Sequence, residues 1–282
     1  MIKFYSSKYI SGFLVSVAIA IAMLAGCKKN SGDGSMDPST PPDLTTIIRS
    51  SVSGFVTDEN NQAVNQATVK VGTSTITTDK YGYFEINNID VIKDAATVTV
   101  IKPGYFKGIK TYIAAEGKPA FFRIKLIPKT NSGTFNGGSG GAVTLSNGLK
   151  ITLPANAVVN ASSNAAYTGT VNVAAYWINP TSSDLPNNMP GDLRGINTAG
   201  NAQLLTTYGM AAVELTGNGG ELLQIASGKK ASLSLPIPAS IAASAPPNIP
   251  LWYFDEAKGL WKEEGSAAKN GNSYVGEVSH FS

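Results

Sequence analysis

Hydrophobic and polar positions follow two different patterns along this chain. From Ile10 to Leu24 about 15 positions run apolar without a charge, behind Lys3 and Lys8 and ahead of the small residues Ala25 and Gly26. A basic start, an apolar centre and a small-residue end predict a secretory signal. The run falls short of the ~20 residues a spanning helix needs, which argues against a transmembrane anchor. From Ser51 onward the period changes to two. Val52, Gly54 and Val56 alternate with Ser53, Phe55 and Thr57, and Ala67-Thr68-Val69-Lys70-Val71 alternates again. Such alternation predicts half-buried strands. Further strands are expected at Thr75–Thr78, Tyr83–Ile86, Ala96–Ile101 and Phe121–Leu126, with turns at Asp58–Gln62 and Asp79–Gly82.

Beyond Ala142 the same texture resumes. Strands are predicted at Val143–Leu145, Leu149–Leu153, Thr170–Trp177, Met210–Leu215, Ala231–Leu235, Leu251–Phe254, Leu260–Lys262 and Tyr274–Val278. Asp255–Gly259 reads as a five-residue hairpin loop. Between the two β segments, 130–141 is glycine-rich and reads as a flexible joint. It lacks the lysine and Ser/Thr offsets of a phosphate-binding loop. Residues 27–50, polar and then proline-bearing, read as a tether. The expectation is an all-β chain of two β-sandwiches, 51–129 and 142–282, behind a signal peptide at 1–26. The strand ending Val278-Ser279-His280-Phe281-Ser282 looks cut short.

Composition narrows the function classes. Charged residues are 15% of the chain, below the ~25% of an average soluble protein. Without the signal segment the charges nearly balance, and no basic stripe suggests nucleic acid. Cys27 is the one cysteine and follows the small-residue end of the apolar run. Leu24-Ala25-Gly26-Cys27 resembles the lipobox of bacterial lipoproteins, in which the cysteine is acylated and becomes the new N-terminus. The resemblance implies a protein anchored by lipid at a bacterial outer membrane or cell surface. Several acyl chains on one residue imply durable attachment, since one chain alone holds marginally. With Cys27 acylated, no thiol is left for a disulfide, a metal or nucleophilic chemistry.

Two further resemblances carry fold and function. Ser53-Gly54-Phe55-Val56-Thr57-Asp58, Ala67-Thr68-Val69-Lys70-Val71, Thr77-Thr78-Asp79-Lys80-Tyr81-Gly82-Tyr83-Phe84-Glu85-Ile86 and Lys102-Pro103-Gly104-Tyr105 together resemble the carboxypeptidase regulatory-like domain. That implies a prealbumin-like, seven-stranded, non-catalytic sandwich over 51–128. Ala63 departs from the family's usual proline. Gly140-Gly141-Ala142-Val143 with Leu149–Ala157 resembles the start of the β domain of zonula occludens, netrin receptor and ankyrin proteins. Pro250–Asp255 with Gly259-Leu260-Trp261 is similar to a segment of cartilage intermediate layer protein. Both imply a structural or interaction module.

Candidate chemistry is sparse. Asp58 and Asn60 have calcium-loop spacing, but Gln62 and Lys70 do not continue the pattern, and a polar turn is expected. One histidine and no free thiol argue against zinc. No metal site and no cofactor are expected. His280-Phe281-Ser282 resembles the self-cleaving tripeptide of some relatives of the zonula occludens type domain, with His280 as base and Ser282 as nucleophile. Trp252 and Trp261 could stack on sugar rings as a glycan-binding platform in a polysaccharide-uptake system, or sit in the core. The reading is a non-catalytic, membrane-anchored scaffold or binding module with a protein or glycan partner, not an enzyme. Glycan binding and self-cleavage are the alternatives.

Overall fold

The computed structural model describes residues 40–281. The signal peptide, Cys27, most of the tether and Ser282 lie outside the described residues. The described residues are nearly all β, and among them is one short helix, α1 (Leu185–Asn188).

The first sandwich follows from the alternation. β1 (Ile47–Thr57) is central in a three-stranded sheet, antiparallel to β4 (Tyr83–Ile92) and parallel to β7 (Ala120–Lys125). β2 (Thr68–Val71), β3 (Ser74–Thr77), β5 (Ala96–Ile101) and β6 (Gly108–Tyr112) form the second sheet, in order β3-β2-β5-β6. Val52, Val56, Val69, Val98, Val100 and Ile124 fill the space between the sheets. In the central row Gly54 lies between Phe84 and Phe122. A methyl group there would come within 2.3 Å of the Phe122 carbonyl and 2.9 Å of the Phe84 ring. Buried Thr78 fastens a loop beneath the core: its hydroxyl donates to Val64 O at 2.6 Å and accepts from the Ala67 amide.

The second sandwich begins earlier than its glycine content suggests. β8 (Asn131–Asn136) and β9 (Gly141–Thr144) are strands inside the segment expected to be a joint. β8 pairs with β12 (Thr170–Ile178), and β9 pairs with β10 (Lys150–Leu153). The glycines serve packing: a methyl group on Gly141 would meet Phe135 Cβ at 2.5 Å. The tether also ends sooner than expected. Ile47 already pairs with Ile92, and the Asp43 amide donates to the Asp94 carboxylate at 3.1 Å.

The remaining strands are β11 (Val158–Asn160), β13 (Arg194–Ile196), β14 (Ala202–Leu204), β15 (Met210–Thr216), β16 (Leu222–Ile225), β17 (Ala231–Pro236), β18 (Asn248–Asp255), β19 (Leu260–Asn270) and β20 (Ser273–Val278). One sheet runs β11-β16-β15-β12-β8 and the other β14-β13-β19-β20-β17-β10-β9, with β18 on β19. Leu149, Ile151, Val171, Val173, Leu215 and Tyr274 are among the core residues.

The two sandwiches meet in a buried joint. Ile109 of β6 packs with Phe254 and Trp261 of the β18–β19 hairpin. Trp261 is 8% exposed, lies edge-on to Phe254 and donates its indole N–H to Asp192 O at 2.7 Å. The hairpin tip reaches the first sandwich, where Thr111 Oγ1 donates to Gly259 O at 2.7 Å. Gly259 has φ +67°, and a methyl group there would meet Thr97 at 2.5 Å. Lys110, 4% exposed, donates to Pro186 O and Met189 O at 2.8 and 2.7 Å. Arg194 reaches back to Asp94 O at 2.7 Å, and Lys107–Glu256, Lys125–Asp184 and Lys129–Glu214 pairs ring the contact.

Two outcomes test this packing. Gly54→Ala should cost about 2–4 kcal/mol in denaturant unfolding, because the neighbouring backbone carbonyl cannot yield. Burial lowers the Lys110 ammonium to about pH 8. Above that pH the unfolded chain holds the proton that the native chain has lost, so this group adds stability as pH rises from 8 towards its ordinary value, and the benefit is lost as pH falls through 8. Unfolding free energy measured from pH 7 to 10 should therefore climb more steeply in the wild type than in Lys110→Met. Equal slopes would show that Lys110 is not desolvated.

Candidate functional site

A cleft of about 920 Å³ opens along the joint and between the sheets of the second sandwich. Its walls combine Leu205, Met210, Leu223, Leu235 and Leu251 with Phe106 and Ile109 of the first sandwich. The apolar lining comes from core-facing strand positions of β15 to β18 that the opposite sheet does not fully cover.

Polar groups gather where the last described residues cross this cleft. Glu264 has a side chain only 6% exposed. Its Oε2 accepts from the Ser279 amide and hydroxyl, both at 3.1 Å, and stands 3.2 Å from His280 Nδ1. Ser279 Oγ is 2.9 Å from the same ring nitrogen. The His280 ring lies 4.0 Å from that of Tyr253. This cluster ties the end of β20 to β19. It is not a hydrolase relay, in which carboxylate and hydroxyl occupy opposite ring nitrogens. Here both crowd Nδ1. Ser282 lies outside the described residues, so its relation to His280 is not described. Glu264 escaped the sequence reading because nothing in Trp261-Lys262-Glu263-Glu264 marks which carboxylate turns inward.

The tryptophans do not form a stacking surface. Trp261 is the centre of the joint, with its N–H already bonded. Trp252 is half-buried against Gly195 and Leu205, where a methyl group on Gly195 would stand 2.8 Å from the indole. Of the two readings the sequence leaves open here, core or sugar platform, Trp261 is buried in the core of the joint, and Trp252 is half-buried beside it.

The calcium-like spacing is a turn. Asp58 Oδ1 accepts the Asn60 and Gln62 amides at 2.9 and 2.8 Å, and Asp79 holds Tyr81 and Tyr83 in the same way. Among the described residues no three His, Asp or Glu side chains converge as a metal site would require. Among them no helix is long and apolar enough to cross a membrane.

Comparison with known proteins bears on the two sandwiches unequally. Cartilage intermediate layer protein 2 of Homo sapiens is 29% identical over 110 residues, which is 38% of this chain and 9% of that protein. The chain thus matches only a small part of that relative. A solved protein from Bacteroides fragilis, described as membrane-associated and of unknown function, aligns over 83% of this chain and 99% of its own at 10% identity and TM-score 0.24. One from Bacteroides uniformis, described as carbohydrate-binding, aligns over 85% of this chain and all of its own at 10% identity and TM-score 0.23. Structural likeness that slight carries no functional argument. The family match is confined to the first sandwich: residues 51–126 match the carboxypeptidase regulatory-like domain.

Proposed function

We propose that this chain is a non-catalytic surface lipoprotein, held at a bacterial outer membrane through Cys27, whose two sandwiches serve as one binding module. The buried joint carries the reading. Trp261, Phe254 and Ile109, with Lys110 bonded to two carbonyls across the contact, hold the sandwiches as one body. A carrier of fixed surfaces needs that rigidity. The second sandwich is read as an interaction module on its resemblance to the zonula occludens type domain. The cluster at Glu264 is structural in this reading, and His280-Phe281-Ser282 is not a cleavage site.

Two measurements test it. Wild-type protein should fractionate with the envelope and leave it only in detergent. Cys27→Ser should appear in the soluble fraction with an unchanged β-sheet circular dichroism spectrum. Envelope retention of Cys27→Ser, or its labelling by palmitate, would sink the anchor. The intact mass of the purified protein should show no break before Ser282, and His280→Ala should give the same pattern. A break before Ser282 that disappears in His280→Ala would establish self-cleavage in place of a passive module.

A further inference from the structure

The outward face of β1, β4 and β7 carries aromatic rings that contribute nothing to either core. Register places Tyr83, Phe55 and Arg123 in one cross-strand row and Glu85, Ser53 and Phe121 in the next. The Phe55 ring centre lies 5.2 Å from that of Tyr83 and 6.2 Å from that of Phe121, and Phe121 is 52% exposed. The Arg123 guanidinium carbon stands 5.7 Å from the Phe121 ring centre and 6.0 Å from that of Phe55. Among the described residues no carboxylate pairs with Arg123, although Lys125 beside it is paired with Asp184. Arg123 and Phe55 also border a cleft of about 220 Å³ whose other walls are Thr57, Asn61, Lys125 and Asn187. Asn187 comes from α1, so both sandwiches contribute. At the far edge, Glu85 accepts from the Tyr83 hydroxyl and the Asn87 amide, both at 2.9 Å.

We infer that this face binds a uronic-acid-bearing polysaccharide. The inference deepens the binding-module reading and rests on it. Each part of such a ligand has a counterpart here. The C–H face of a pyranose packs on the exposed Phe121 ring, with the half-buried Phe55 and Tyr83 rings beside it. A uronate carboxylate meets the planar fork of Arg123, which has no carboxylate partner among the described residues. Hydroxyl pairs meet the side-chain amides of Asn61 and Asn187, which have no internal partner among the described residues. Charge complementarity selects an acidic glycan over a neutral one. A single unpaired arginine is too little for a membrane surface, which takes several cations.

The test uses the full chain carrying Cys27→Ser, so that binding is read independently of anchoring. Isothermal titration with oligomers of polygalacturonate, alginate and glucuronate-bearing xylan should show binding to at least one, weakened by added salt. Neutral cello-oligosaccharides should bind far more weakly. Arg123→Gln should raise the Kd about tenfold, the effect of losing one charge-assisted pair. Phe121→Ala should raise it comparably, and both should melt as the parent does. No binding to any uronate oligomer, equal binding of neutral oligomers, indifference to both substitutions, or equal binding of polyglutamate would each overturn the proposal. A failed titration beside a normal Cys27-dependent fractionation would remove the ligand and leave the anchored module standing.

Discussion

The structure turns on the hairpin of β18 and β19 pressed into the first sandwich. Two sandwiches joined only through Lys129-Thr130 would reorient freely. Burying Ile109, Phe254 and Trp261 together contributes about 1.5–3 kcal/mol per side chain, and the indole N–H bond to Asp192 O removes the cost of hiding that donor. Lys110 acts in the other direction. Its burial is expensive, and the two carbonyls that face it offset the expense only while the joint is closed. An ammonium in such a place stabilises little but specifies one docking geometry. Any other arrangement leaves it without Pro186 O and Met189 O.

The same joint reaches the point where the chain enters the body. Asp94 accepts the Asp43 amide on its side chain and the Arg194 guanidinium on its carbonyl. The entering segment, the first sandwich and the second sandwich are thus bonded to one buried residue. A pull on the chain ahead of Asp43 would load this junction rather than a single edge strand.

What the sequence disclosed, and what it concealed, follows from locality. Val52, Gly54 and Val56 reveal β1 because one face of that strand is buried by its own sandwich, and period two is a local signal. Residues 131–141 look like a linker because composition counts glycines without seeing what lies above them. Gly141 is small because Phe135 lies over it. Trp261 could be read as platform or as core, since the cover that decides between them is Ile109, some 150 positions away. Glu264 is hidden for the same reason: its partners Ser279 and His280 lie just past the end of β20, and no spacing rule links them. Phe55 and Phe121 were legible as strand residues. Their exposure was not, because an aromatic in the outward phase of a strand is indistinguishable from one awaiting a second layer.

That exposure has a physical price that something must justify. A cross-strand aromatic cluster facing water forgoes burial and invites association. Here the liability is moderated at the edge of the sheet, where Pro119 and Pro128 bracket β7 and Arg123 and Lys125 charge it. Those devices discourage a second strand from pairing while leaving Phe121 exposed. The rings are also fixed relative to Asn187, because α1 is held against β7 by Lys125–Asp184 and against β6 by the Lys110 bonds to Pro186 O and Met189 O. The bonds that close the joint therefore also set the width of the small cleft beside Arg123. A surface built from two sandwiches keeps a defined shape only if their docking does not slip, which makes the buried lysine and the tryptophan plug as necessary to the aromatic face as the rings themselves.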